Sequence, residues 1–138
     1  MVFIPRNYDA GRGVLVAGAA SLAAVKYNAA VDNGSGFLTN ASSSTAVDVP
    51  FVENETITLS GTAGEMVQCI RTGGKVIFDA TTDAAPAQTD VGTYADLASA
   101  ATVNPDASTN DLFYIESIVG ATADLLVRGW FVEGVPNS

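Results

Sequence analysis

Residues 112–133, LFYIESIVGATADLLVRGWFVE, decide the fold. Two apolar runs, 112–119 and 124–133, are the longest strand candidates in the chain, joined by residues 120–123. Their Val, Ile, Tyr, Phe and Trp side chains suit a pleated surface better than a helix. Trp130 is the bulkiest residue of the second run and is expected to be the core anchor on which sheet closure depends. Gly129 before it predicts a bulge or a tight bend.

Upstream, strand and turn signals recur at short intervals. Residues 66–71 and 75–80 flank Gly73-Gly74, which predicts a hairpin with Val67, Cys69, Val76 and Phe78 at alternating positions. Asn33-Gly34 predicts a second hairpin, closed by residues 37–39, because a type I′ turn needs two residues with positive φ. Val47, Val49 and Phe51 alternate with Asp48 and Pro50, and Ile57 and Leu59 alternate with Thr56 and Thr58. Both read as half-buried strands, the first either confined to an edge or ended early by Pro50. Residues 94–101 (YADLASAA) read as one short helix or a turn. The pattern predicts a mainly all-β chain: a small β-barrel or β-sandwich with at most one or two short helices.

Composition agrees. Of 138 residues, 48% are hydrophobic, but 22 are Ala. Val, Ile and Thr together number 35, so the bulk of the large apolar content is β-branched. One domain over 13–138 is expected, preceded by an extended arm over 1–12 that Pro5, Gly11 and Gly13 keep irregular. Val2, Phe3 and Ile4 lie in that arm; they either tuck into the domain's own core or dock on a partner.

The chain has no His and one Cys, which excludes His-based acid–base catalysis, His-ligated metals and an internal disulfide. A net charge of -9 opposes nucleic-acid backbones. Residues 13–25 (GVLVAGAASLAAV) are too short to span a bilayer and make a poor secretory signal, so no membrane partner is expected. Cys69, in an apolar run with no base to activate it, reads as a small buried hydrophobe. Residues 106–111 (DASTND) place oxygens at alternate positions, as a calcium loop does. Position 6 is Asp111 instead of Gly, and a polar turn is the better reading. Glu53 and Glu55 bracket Asn54 as a carboxylate pair, and Asp79, Asp83 and Asp90 could gather near one loop; nothing in the sequence marks either group as buried. RTGGK (71–75) leads into a strand and is no phosphate loop. Neither a catalytic residue, a cofactor nor a metal is expected.

Several stretches together are similar to the head-decoration, or cement, proteins of tailed bacteriophages. They are an early Ala/Val-rich segment running into Val25-Lys26-Tyr27, GEMVQ at 64–68, GGKVIFD at 73–79, VGTYADLASAATV at 91–103 and RGWFV at 128–132. The likeness is one of layout over residues 13–133. It implies a small β-rich virion protein, made in the host cytoplasm and bound to the outside of the expanded capsid, where it bridges neighbouring major capsid subunits. It further implies a homotrimer; the extended N-terminal arm is then the expected capsid contact, through Val2, Phe3, Ile4 and Arg6, with Arg12 beside them. The alternatives are a tail or neck structural subunit and, from a different class, a carbohydrate-binding module.

Overall fold

A computed structural model describes residues 3–6, 13–73 and 75–133. The strands are β1 (Phe3–Pro5), β2 (Gly13–Ala17), β3 (Ala23–Ala24), β4 (Ala29–Asp32), β5 (Leu38–Asn40), β6 (Phe51–Glu53) and β7 (Ile57–Thr58). They continue with β8 (Met66–Arg71), β9 (Phe78–Thr82), β10 (Tyr94–Ser99), β11 (Thr102–Asn104), β12 (Phe113–Ile118) and β13 (Leu126–Phe131). Short 3-10 turns occupy Gln88–Asp90 and Thr122–Asp124. The chain is a mainly β protein built on a closed five-stranded barrel, in the order β9–β11–β10–β12–β13 and back to β9. Only β9 and β11 run parallel; every other pair in the ring is antiparallel.

The opening stretch forms the antiparallel pair β12–β13, with Phe113 opposite Phe131, Tyr114 opposite Trp130 and Ile115 opposite Gly129. The period of two then assigns the faces. Phe113, Ile115, Val127 and Phe131 point into the barrel and are buried. Tyr114, Arg128 and Trp130 point out. Trp130 is therefore not the core anchor; it is half-buried on the outer wall, and Phe131 takes the inner place. Gly129 is the reason the two strands lie so close. A Cβ there would sit 1.8 Å from the Tyr114 carbonyl oxygen, so only glycine fits. The register slips between Ile115 and Ser117 on the facing strand, making Glu116 the bulged residue.

The N-terminus resolves in favour of the protein's own core. Phe3 is 0% exposed. Its ring lies 4.8 Å from Phe131, 5.7 Å from Phe113 and 6.5 Å from Phe78, centroid to centroid. Residues 3–5 are not a free arm but a strand of the six-stranded sheet, pairing Phe3 with Ala80 and Pro5 with Phe78. Val2 and Arg12 lie outside the described residues.

The second sheet runs β2–β8–β6–β4–β5, and an isolated parallel bridge ties Gly18, just after β2, to Leu38 of β5. The β3–β7 ribbon lies beside it. This sheet is a shared wall. Ala29, Val31 and Val52 join the barrel core, while Ala30, Leu38, Val67 and Cys69 join a smaller cluster with Leu22, Ala24 and Leu59.

Three local expectations are corrected. Gly73-Gly74 does not close a hairpin, because β8 and β9 belong to different sheets. Thr72 ends β8 by donating its hydroxyl to the Val49 carbonyl at 2.6 Å, and the chain then crosses to the barrel through Lys75 at φ 58°. Residues 94–99 form a strand, since burying Ala95 and Leu97 in the barrel outweighs helix propensity. Asn33-Gly34 does close the β4–β5 hairpin, but through a five-residue loop, 33–37, in which Gly34 and Gly36 both have positive φ.

Truncating Phe3 to Ala is expected to cost about 3–5 kcal/mol, as for other buried aromatic truncations. Urea denaturation of Phe3→Ala measures it. An unchanged midpoint would return residues 3–5 to the role of a dispensable arm.

Candidate functional site

The outer barrel wall carries an ion-pair clamp. Asp79 on β9 accepts Arg128 Nε on Oδ1 at 2.7 Å and Arg6 Nε on Oδ2 at 2.7 Å. Arg128 Nη2 reaches Oδ2 at 3.1 Å. Burial alone would raise the Asp79 carboxyl, but the hydrogen bonds and charges of Arg128 and Arg6 hold it below the usual carboxylate range. Arg6, expected at a capsid contact, is thus occupied in tying β1 to the barrel. Ile4, opposite Asp79 in the register, is half-buried.

Beside the clamp stands an aromatic ladder on β10, β12 and β13. Tyr94 meets Tyr114 edge-on at 5.3 Å, and Tyr114 stacks on Trp130 at 4.7 Å. Lys75 Nζ lies 5.0 Å over the Trp130 ring. A groove of about 520 Å³ is lined by Lys75, Tyr94, Trp130 and Glu133. A second, of about 570 Å³, is lined by Asp48, Phe51, Arg71 and Glu133, so the two adjoin at the end of β13.

The second sheet exposes apolar surface. Leu15 is 60% exposed and Met66 56%, on the outer face of the β2–β8 pair. β2 forms one edge of its sheet and carries no charged or proline residue to blunt pairing. The sequence left this face undecided, because in the run Val14-Leu15-Val16 either parity could be the buried one.

Glu53, which the sequence offered only as half of a carboxylate pair with no mark of burial, is a buried acid in the structure. It closes β6 opposite Cys69 and is 0% exposed. Its Oε1 accepts the Val25 N–H at 3.1 Å, while no protein donor reaches Oε2. Burial pushes its carboxyl up to about 7, against the lowering effect of the Val25 hydrogen bond. The signal was present in the alternation: Glu53 shares the parity of Phe51, which packs against the small core. Its neighbour Glu55 is only half-buried and accepts the Gln68 N–H at 2.7 Å. Cys69 is buried, and desolvation, with Glu53 and Glu55 adding, pushes its thiol up to about 12. It is an inert core residue.

The 106–111 loop folds as a polar turn aimed at one carboxylate. Asp96, buried on β10, accepts the N–H groups of Thr109, Asn110 and Asp111 at 3.1, 2.6 and 3.0 Å. Among the described residues, no three His, Cys, Asp or Glu side chains gather as a metal cluster. The chain matches no protein family, no curated protein and no solved structure.

Glu53 makes stability depend on pH. Its folded pKa lies above its unfolded value, so its contribution is full below about pH 4.5 and is lost as pH rises through 7. Thermal melts in low salt should therefore show the wild type losing about 3 kcal/mol of stability between pH 5 and pH 9. Glu53→Gln should flatten that slope. A wild-type profile already flat over this range would place an ordinary, solvated carboxylate at Glu53.

Proposed function

We propose that the chain is a non-enzymatic virion protein that decorates the outer surface of an icosahedral bacteriophage capsid. It stabilises the shell by bridging neighbouring major capsid subunits. The observation that carries this reading is the apolar β2 edge, where Leu15 and Met66 stand exposed on a chain of net charge -9. An open edge strand adds to a neighbouring sheet through backbone hydrogen bonds, and side chains such as Leu15 supply the apolar contact. With residues 3–6 committed to the barrel, this edge replaces the N-terminal arm as the contact surface.

A homotrimer presents three such edges to three capsid subunits, and avidity then raises affinity without strong single contacts. Binding only the assembled shell stabilises it by mass action. The host cytoplasm is the site of synthesis and the capsid exterior the site of action. The aromatic ladder does not favour the carbohydrate-binding alternative. Tyr114 stacks on one face of Trp130 and Lys75 covers the ring as well, which leaves little of it for a sugar.

The test is saturation of expanded, DNA-free capsid shells. Wild-type protein should bind, and Leu15→Glu should weaken binding by about tenfold to a hundredfold with an unchanged circular dichroism spectrum. Full binding by the variant would exclude the β2 edge. A wild type that decorates tails and leaves heads bare would move the protein to the tail.

A further inference from the structure

Residues 33–37 close the β4–β5 hairpin, and they carry the one Asn-Gly step among the chain's eight asparagines. An Asn side chain can react with its own backbone. The following amide nitrogen attacks Cγ, closes a five-membered ring and expels the side-chain amide as ammonia. The reaction is slow for two reasons. A peptide N–H holds its proton tightly and is a poor nucleophile, and a following side chain crowds the nitrogen. Three features of this loop act on those obstacles.

The first is Asp32. Its Oδ2 accepts the Gly34 N–H at 2.8 Å, so a side-chain base already holds the proton that must leave. The second is a pair of backbone donors on the group under attack. Asn33 Oδ1 accepts the Ser35 N–H at 2.8 Å and the Phe37 N–H at 3.3 Å. Charge develops on this oxygen when the nitrogen adds to Cγ, and two fixed N–H dipoles stabilise it. The third is space. Gly34 has no side chain, its φ is 94°, and nothing beyond its chain neighbours lies within 4 Å of where a Cβ would stand.

The hairpin holds these groups together. The Asn33 N–H donates to the Phe37 carbonyl at 2.8 Å, and the flanking register pairs Asp32 with Leu38 and Val31 with Thr39. Asp32, Asn33 and Gly34 are all exposed, so water for a later hydrolysis is at hand. We propose that Asn33-Gly34 is a self-modifying site that converts the Asn33 amide to an acid. Asp32 is its base, and the Ser35 and Phe37 N–H groups form its oxyanion hole.

The chemistry needs no reagent but water. Asp32 takes the Gly34 proton, the nitrogen bonds to Asn33 Cγ, and the carbonyl electron pair moves onto Oδ1. As the C=O bond re-forms, the Cγ–Nδ2 bond breaks. Nδ2 takes the proton back from Asp32 and leaves as ammonia, and a cyclic imide remains. Water then adds to either imide carbonyl. One opening gives an aspartyl residue at position 33. The other gives an isoaspartyl residue, whose backbone runs through the former side chain and is one carbon longer. Either product adds a negative charge beside Asp32, to a chain already at -9. The longer backbone falls in the loop that sets the β4–β5 register, next to Leu38 of the small core.

The test is incubation of the full chain near neutral pH and physiological temperature, followed by peptide mapping with mass spectrometry. The map reads conversion at position 33 and separates the aspartyl from the isoaspartyl product. A free peptide of residues 29–38 carries the same local sequence without the fixed loop and is incubated alongside. The folded chain should convert about tenfold faster than that peptide, or more. Asp32→Ser keeps an oxygen for the Gly34 N–H but supplies no base, and it should fall to the peptide's rate or below. A folded chain that converts no faster than the peptide would overturn the site. So would a folded Asp32→Ser variant as fast as the wild type. The comparison of wild type with peptide decides the question even if the variant does not fold.

Discussion

The barrel depends on β9 being held from both edges at once. One edge pairs with β13, and the other is divided between β1 and β11. Asp79 stands at the middle of this arrangement, opposite Ile4 on one side and Arg128 on the other. Its carboxylate binds Arg6 and Arg128 together, so one buried acid fastens the first strand, the central strand and the last. The aromatic interior of Phe3, Phe78, Phe113 and Phe131 lies directly behind it. A partly buried acid with two arginines resists removal of either partner more than an exposed pair does, because the charge left behind is poorly solvated.

The second sheet has a different problem. Its strand β4 is buried on both faces, so it cannot alternate apolar with polar, and it reads as a run of small apolar residues, Ala29-Ala30-Val31. The many alanines that make the composition look thin are what allow this wall to sit between two clusters. Gly18 makes the same point. A Cβ there would run into Leu59 Cδ1, beside the single bridge from Gly18 to Leu38.

Much of the fold was legible because strand parity is a strong signal where only one parity is apolar. Val67, Cys69, Val76 and Phe78 alternate with other residues, and all four are buried. Parity failed where both sides of a strand are apolar. In Leu126–Phe131 it could not choose between Trp130 and Phe131, and a close backbone approach at Gly129 decided it. Gly73-Gly74 looked like a hairpin because local sequence does not record which sheet each flanking strand joins. Glu53 was read as solvated for the same kind of reason: its partners Val25 and Cys69 are far away in sequence, and the residues that follow it, Asn54 and Glu55, are polar.

The position of Phe3 also bears on how the chain comes to be folded. Its ring needs Phe131, and its strand needs residues 78–80. During synthesis residues 3–5 must wait until residue 131 has been made before all of their contacts exist. The barrel cannot close before β13 has been made, and its pairings are dominated by long sequence separations, a topology associated with slow folding. Until residue 131 is made, Phe3 is exposed together with the β2 edge, so an early nascent chain offers more apolar surface than the folded protein, which hides Phe3 and leaves Leu15 exposed.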